Sequence, residues 1–142
     1  MAHPEIHSIG TFKAKCDSCE ADFSVPLLCD FAYGEFLFFG DRGSAYAYLN
    51  ALGHPTWDFV KAEVGEDGDA ILRILAEIAD PVDGQLLRHE RILVCPSCRS
   101  RHCQVWDSRI GTVDVPNITF HGFGKLTVDE QKYRVRWLNR KA

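Results

Sequence analysis

Two Cys-x-x-Cys pairs, Cys16-Asp17-Ser18-Cys19 and Cys95-Pro96-Ser97-Cys98, constrain this chain more than any other feature. Each pair presents two thiolates from one tight turn, and two such turns facing each other make a tetrahedral Cys₄ site for one structural zinc ion. Seventy-five residues separate the pairs, so any fold that joins them must close a long loop. A closed four-thiolate site leaves no coordination position for water or substrate, which makes it structural rather than catalytic. Backbone amides around the turns are expected to offset part of the thiolate charge, with Lys13, Lys15, Arg99 and Arg101 flanking the tips.

The sequence around each pair has the alternation of a strand. Phe12, Ala14 and Cys16 alternate with Lys13 and Lys15, and Ala21, Phe23 and Val25 alternate with Asp22 and Ser24. The first pair is therefore expected at the tip of a β-hairpin, over about 9–28, with Phe12 and Phe23 beneath it. Ile92, Leu93 and Val94 lead into the second pair, and Cys103, Val105 and Asp107 alternate with Gln104 and Trp106 beyond it. That predicts a second strand–turn–strand hairpin over about 89–107.

Two such hairpins resemble the zinc-ribbon, or zinc-knuckle, family. The resemblance covers 12–25 and 91–107, and Pro96 after the first cysteine of its pair is common there. Ribbons often carry Gly after the second cysteine, to allow a left-handed turn; here Glu20 and Arg99 take those places. Ribbon linkers are also shorter, so the resemblance implies a ribbon split by a large insertion. It implies a structural zinc site and no particular activity.

Between the pairs, Glu35-Phe36-Leu37-Phe38-Phe39 reads as a buried strand and Gly40–Gly43 as a turn. Ser44 is placed to cap a helix over about 45–52, ended by Gly53. A second helix is expected over about 56–64. A third is expected over 70–79, capped by Asp69, with Ile71, Leu72, Leu75 and Ile78 on one face and Arg73 paired with Glu77 outside. The insertion is thus mostly helical, over about 44–80. Past the second pair, Val113, Val115, Ile118 and Phe120 suggest two short strands with a turn at Pro116-Asn117. Thr127-Val128-Asp129-Glu130 fits a capping box opening a C-terminal helix to about Asn139; Tyr133, Val135 and Trp137 also alternate as a strand would. The expected fold is α+β: one domain over 1–142, with a zinc-clamped antiparallel β core.

Sixteen aromatic side chains among 142 residues can supply that core, and a net charge of −4 argues against a general affinity for nucleic acid or anionic membrane. No stretch approaches the roughly 18–20 apolar residues of a membrane span, and the first residues lack the basic-then-apolar pattern of a secretory signal. A reducing cytoplasm is therefore expected, where paired cysteines serve as metal ligands or redox groups.

Other chemistry is sparse. His3, His7, His54, His89 and His121 are scattered, and no metalloprotease, serine-hydrolase or phosphate-loop motif occurs. Cys29 with His102 or Cys103 is the only further supply of metal ligands, and free cysteines are commonly small buried hydrophobes. Glu63, Glu66, Asp67 and Asp69 form an acidic stretch, either solvated or a docking surface for a basic protein. Arg99, Arg101 and Arg109, with the later Arg134, Arg136, Arg140 and Lys141, form two basic clusters near Trp106 and Trp137. These features point to a non-catalytic protein-binding module, an inhibitory or immunity-type partner of a larger protein. A nucleic-acid-binding zinc ribbon is the alternative, and a thiol-redox enzyme a third reading.

Overall fold

The computed structural model describes residues 5–28 and 33–141. His3 and Cys29 lie outside the described residues. The remaining chain forms two three-stranded antiparallel sheets and four helices. The first sheet has the order β2-β1-β6, with β1 at Ile6–Cys16, β2 at Asp22–Pro26 and β6 at Cys103–Pro116. The second has the order β4-β3-β5, with β3 at Glu35–Gly40, β4 at Tyr46–Asn50 and β5 at Leu87–Arg88. The helices are α1 (Pro55–Val64), α2 (Gly68–Ile78), α3 (His121–Gly124) and α4 (Val128–Lys141).

The layers follow from the side-chain alternation of β3. Phe38 faces the helices and is buried among Leu49, Val60, Ile71, Ile74, Leu75, Ile78, Val135 and Leu138. Its neighbours Leu37 and Phe39 point the other way, toward Ala14, Val25 and Val105 of the first sheet. Tyr48 of β4 joins Ile9 and Val115 on that same side. The second sheet is apolar on both faces because it is the middle layer, between the first sheet and the helices.

The expected helix over 45–52 is instead strand β4, paired antiparallel with β3 from Glu35↔Asn50 to Phe39↔Tyr46. Its residues have no polar face, so helix and strand are not separable by periodicity. The long-range partner decides. Ser44 caps no helix; the buried side chain of Gln85 holds its loop instead. Gln85 Oε1 accepts the Arg42 and Ser44 amides at 3.2 and 3.4 Å, and Nε2 donates to Ser44 Oγ at 2.7 Å. A Cβ on Gly40 would collide with that Gln85 side chain. The segment 44–80 is accordingly one strand followed by two helices, still mostly helical, with its first expected helix replaced by β4.

The second hairpin is also corrected. Residues 89–94 form no strand, so the second cysteine pair is flanked by a strand on its C-terminal side only. That strand, β6, runs unbroken through Gly111 to Pro116 and pairs with β1, with register shifts on either side of Phe12. The two short strands expected beyond 111 are thus the end of β6 and a non-strand segment leading to α3.

The helices follow their capping signals. Asp67, rather than Asp69, caps α2, accepting from the amides of Asp69 and Ala70 at 3.1 and 3.3 Å. His54 Nδ1 caps α1 by accepting the Thr56 amide, with Pro55 in the first turn. The reciprocal capping box of α4 is present: Thr127 N donates to Glu130 Oε1 at 2.9 Å and Glu130 N to Thr127 Oγ1 at 3.2 Å. Arg73 is not paired with Glu77; its Nη1 donates to the Leu138 carbonyl at 3.0 Å, tying α2 to the end of α4.

Asp80 ends α2 and organises α3 from a distance in sequence. Its carboxylate accepts from the His121 amide at 2.7 Å, the Gly122 amide at 2.9 Å and the Thr119 hydroxyl at 2.8 Å. Burial raises its pKa, but the Gly122 amide, the Thr119 hydroxyl and the His121 amide together outweigh burial and lower it. A depressed folded-state pKa stabilises the fold above the ordinary carboxylate range and loses that contribution as pH falls through it. Asp80→Asn is expected to cost about 1–3 kcal/mol at neutral pH. It should also flatten the loss of stability on acidification, as urea titrations at stepped pH would show. An unchanged acid limb in the variant would remove Asp80 as its source.

Candidate metal centre

The hairpin of β1 and β2 carries Cys16 at the end of β1 and Cys19 in the turn. The segment after β5 carries Cys95, and Cys98 lies just before β6. The two turns have matching backbones. Cys16 N donates to Ala21 O and Glu20 N to Cys16 O, each at 3.0 Å; Cys95 N donates to Ser100 O at 2.9 Å and Arg99 N to Cys95 O at 3.0 Å. Glu20 and Arg99 have φ of 63° and 65°, the left-handed turn for which glycine is suited. Both side chains are exposed, so the departure from glycine is accommodated as backbone strain alone. Glu20→Gly and Arg99→Gly are each expected to change stability by no more than about 1 kcal/mol, in the stabilising direction. Thermal melts of the metal-loaded protein measure this, and a clear destabilisation would count against strain at these residues.

The turns meet tip to tip. Asp17 N donates to His102 O at 2.7 Å, and Ser18 Oγ lies 3.0 Å from Ser100 Oγ. The sulfurs then converge across the pairs, with Cys16 Sγ 3.5 Å from Cys98 Sγ and Cys19 Sγ 3.5 Å from Cys95 Sγ. All four ligand atoms lie within 4.8 Å of one another, and all four cysteines are free thiols. A tetrahedral ion with metal–sulfur bonds of about 2.3 Å holds its sulfurs about 3.8 Å apart, so the set can hold a metal ion with little movement. Cys16 and Cys95 are fully buried; Cys19 and Cys98 face solvent.

The electrostatics agree with that fit. The Cys19 and Ser18 amides donate to Cys16 Sγ at 3.5 and 3.3 Å. With the Cys19 amide contributing most, they lower the Cys16 pKa to about 6. The Cys98 and Ser97 amides lower Cys95 in the same way. Cys19 behaves oppositely: the Ala21 amide favours its thiolate, but the neighbouring Cys95 thiol and burial outweigh it and push it up to about 12. Cys98 is likewise raised, its Ser100 amide outweighed by Cys16 and burial. The protein's own dipoles thus support the first thiolate of each pair. Four thiolates at this spacing need a cation.

Cys103 stands opposite Cys16 in the β1–β6 register but belongs to a different contact, its Sγ donating to Ser100 O at 3.6 Å. Burial, more than any neighbour, raises its pKa. His102 contributes its carbonyl oxygen to the tip contact. Among the described residues, Cys16, Cys19, Cys95 and Cys98 form the one group of His, Cys, Asp or Glu side chains close enough to share an ion.

The other surfaces singled out in the sequence separate. Glu63 pairs with Arg136 at 2.9 Å, joining α1 to α4, and Asp67 is the α2 cap, which leaves Glu66 and Asp69 as exposed, uncommitted carboxylates. Of the basic residues, Arg99, Arg101, Arg109 and Trp106 lie on or beside the first sheet. Arg134, Arg136, Arg140, Lys141 and Trp137 lie on α4, which packs on α1 and α2. Lys13 Nζ sits 5.7 Å from the Trp106 ring and Lys141 Nζ 5.0 Å from the Trp137 ring, two separate cation–aromatic pairs. No described helix is long and apolar enough to cross a membrane.

Comparison of the chain with known protein families, with curated proteins and with solved structures finds no match.

Proposed function

We propose that this chain is a zinc-stabilised, non-catalytic protein-binding module of the zinc-ribbon type, interrupted by a long insertion, and an inhibitory or immunity-type partner of a larger protein. The carrying observation is the closure of the cysteine cluster: four sulfurs facing one another within 4.8 Å offer no place for a substrate. Zinc is preferred over other ions because four thiolates in a tetrahedral set suit a borderline-soft ion without a redox or ligand-field demand. One ion per chain ties the β1–β2 turn to the segment between β5 and β6, which links the second sheet to the first.

The partner-binding role rests on what the clamp presents. Trp106 and Ile110 on β6, and Tyr133 and Trp137 on α4, are large exposed apolar side chains on separate faces. The acidic stretch contributes Glu66 and Asp69 to such a surface, with Glu63 and Asp67 already engaged within the fold.

The test is affinity capture with zinc-loaded protein, followed by reconstitution with the purified partner. One stoichiometric protein partner is expected, its binding weakened by reversing exposed charges at Glu66 and Asp69. Tight nucleic-acid binding with a steep salt dependence, and no protein partner, would replace this reading with the nucleic-acid-binding ribbon. Thiol–disulfide exchange by metal-free protein at a catalytic rate would replace it with the redox enzyme.

A further inference from the structure

A second site lies beside the clamp, in a cleft of about 440 Å³ between the Gly40–Ser44 loop, the end of β5 and the segment entering the second cysteine pair. Arg88, Arg91 and Arg101 line it, with Ile92 and Leu93 as its apolar part. Asp41 and Glu90 are its carboxylates, so three guanidiniums face two acids. None of the three arginines is in an ion pair, since the two ion pairs among the described residues are Glu5–His7 and Glu63–Arg136. Arg88 makes only a 3.3 Å bond to the carbonyl of its neighbour Leu87. The surplus of one positive charge and the unpaired guanidiniums leave the cleft complementary to an anionic group.

We infer that this cleft binds an extended acidic peptide segment of a protein partner, with its oxyanion on Arg88, Arg91 and Arg101. Guanidinium groups suit planar carboxylate and tetrahedral phosphate oxygens alike, so aspartate, glutamate and phosphoserine share the required chemistry. Ile92 and Leu93 offer an aliphatic wall for the flanking side chains. No aromatic ring lines the cleft to stack a base, which favours a peptide over a nucleic acid. The inference rests on the protein-binding reading above and names the chemistry of the partner's segment.

Heteronuclear amide NMR of the zinc-loaded protein tests it with three blocked tripeptides: leucine–phosphoserine–leucine, leucine–glutamate–leucine and leucine–serine–leucine. The two acidic peptides should shift the amides of Asp41, Arg88, Arg91, Ile92, Leu93 and Arg101. The stronger of the two identifies the oxyanion source. The serine peptide, and either acidic peptide with the Arg91→Ala/Arg101→Ala protein, should bind at least about tenfold more weakly. Both arginines are exposed, and the variant's zinc content and melting temperature report that it is folded. Asp41→Asn, which removes a like charge from the cleft, should strengthen binding of the same peptides, and Arg134→Ala/Arg140→Ala on α4 should leave it unchanged. Equal binding of the serine peptide, undiminished binding by the double variant, or no shift at about 10 mM peptide would overturn the cleft assignment. If a captured partner still binds the double variant fully, the protein-binding reading survives without the cleft. An oligonucleotide that shifts the same amides more strongly than the peptides overturns both.

Discussion

Withdrawing zinc with a strong chelator is expected to unfold the protein, or to leave the first sheet without fixed structure. The physical reason is the loop. Joining Cys19 to Cys95 closes 75 intervening residues. Confining a chain of that length removes unfolded-state freedom equivalent to about 4–5 kcal/mol, by analogy with a covalent cross-link. The gross binding energy of a structural zinc site is larger, about 10–16 kcal/mol, comparable with or above the whole net stability of an ordinary domain. Native mass spectrometry should find one zinc per chain. Far-ultraviolet dichroism and thermal melts with and without chelator should show the cooperative transition collapse. Cys16→Ser and Cys95→Ser should abolish it most completely, because each leaves a hydroxyl at a fully buried position with three thiols still to be held together. Cys19→Ser and Cys98→Ser remove a ligand at exposed positions and should leave a weakly metal-binding, less stable protein. Cys103→Ser, outside the cluster, should retain full zinc content. A chelated protein that melts as before, or a preparation with no metal and two disulfides, would sink the structural-zinc reading.

The cluster was legible in the sequence because its information is local. Each Cys-x-x-Cys turn is a single backbone device, and the alternation around Cys16 sets its hairpin. The helices α2 and α4 were legible from their own periodicity and capping signals, with Thr127 acting on an amide three residues away, although the α2 cap is Asp67, two residues before the expected Asp69. What misled was whatever depended on a distant partner. Residues 45–52 became a strand because Phe36–Phe39 offered an edge and Gln85, some forty residues on, fixed the connecting loop. Ile92–Val94 had the composition of a strand, but Ile92 and Leu93 pack as side chains on the cluster of Ala14, Val25 and Phe39, and the outer side of β6 is left unpaired among the described residues. The turn expected at Pro116-Asn117 had only local signals, whereas β6 continues through Gly111, which sits inside the ladder opposite Thr11, whose Oγ1 lies 3.3 Å from where a Cβ would be. The acidic stretch lost two of its four members to contacts that only the folded chain makes. The arginine cleft had no local signature at all, because Asp41, Arg88 and Arg101 meet only through the hairpin and the clamp.

Phe38→Ala is expected to weaken zinc binding, although Phe38 lies on the helix side of the middle sheet, away from the sulfurs. The substitution removes a fully buried ring from the largest core cluster. Such truncations cost about 3–5 kcal/mol when the cavity does not collapse, or roughly 10–20 °C in melting temperature at this chain length. How that loss is distributed tests whether the layers act together. Leu37 and Phe39, the neighbours of Phe38 in β3, pack against the first sheet, which carries Cys16. If the metal-free chain lacks the fold, folding and zinc binding are one equilibrium, and destabilising the helical core lowers the apparent zinc affinity by the same free energy. The expected drop is about 10²–10⁴-fold, measured by competition with a chelator of known affinity. Two separate thermal transitions in Phe38→Ala, with zinc affinity unchanged, would mean that the clamp and the helical layer fold independently. A single broader transition with weakened zinc binding would mean that the middle sheet transmits the loss, because its two apolar faces leave no plane along which the layers can part without exposing one of them to water.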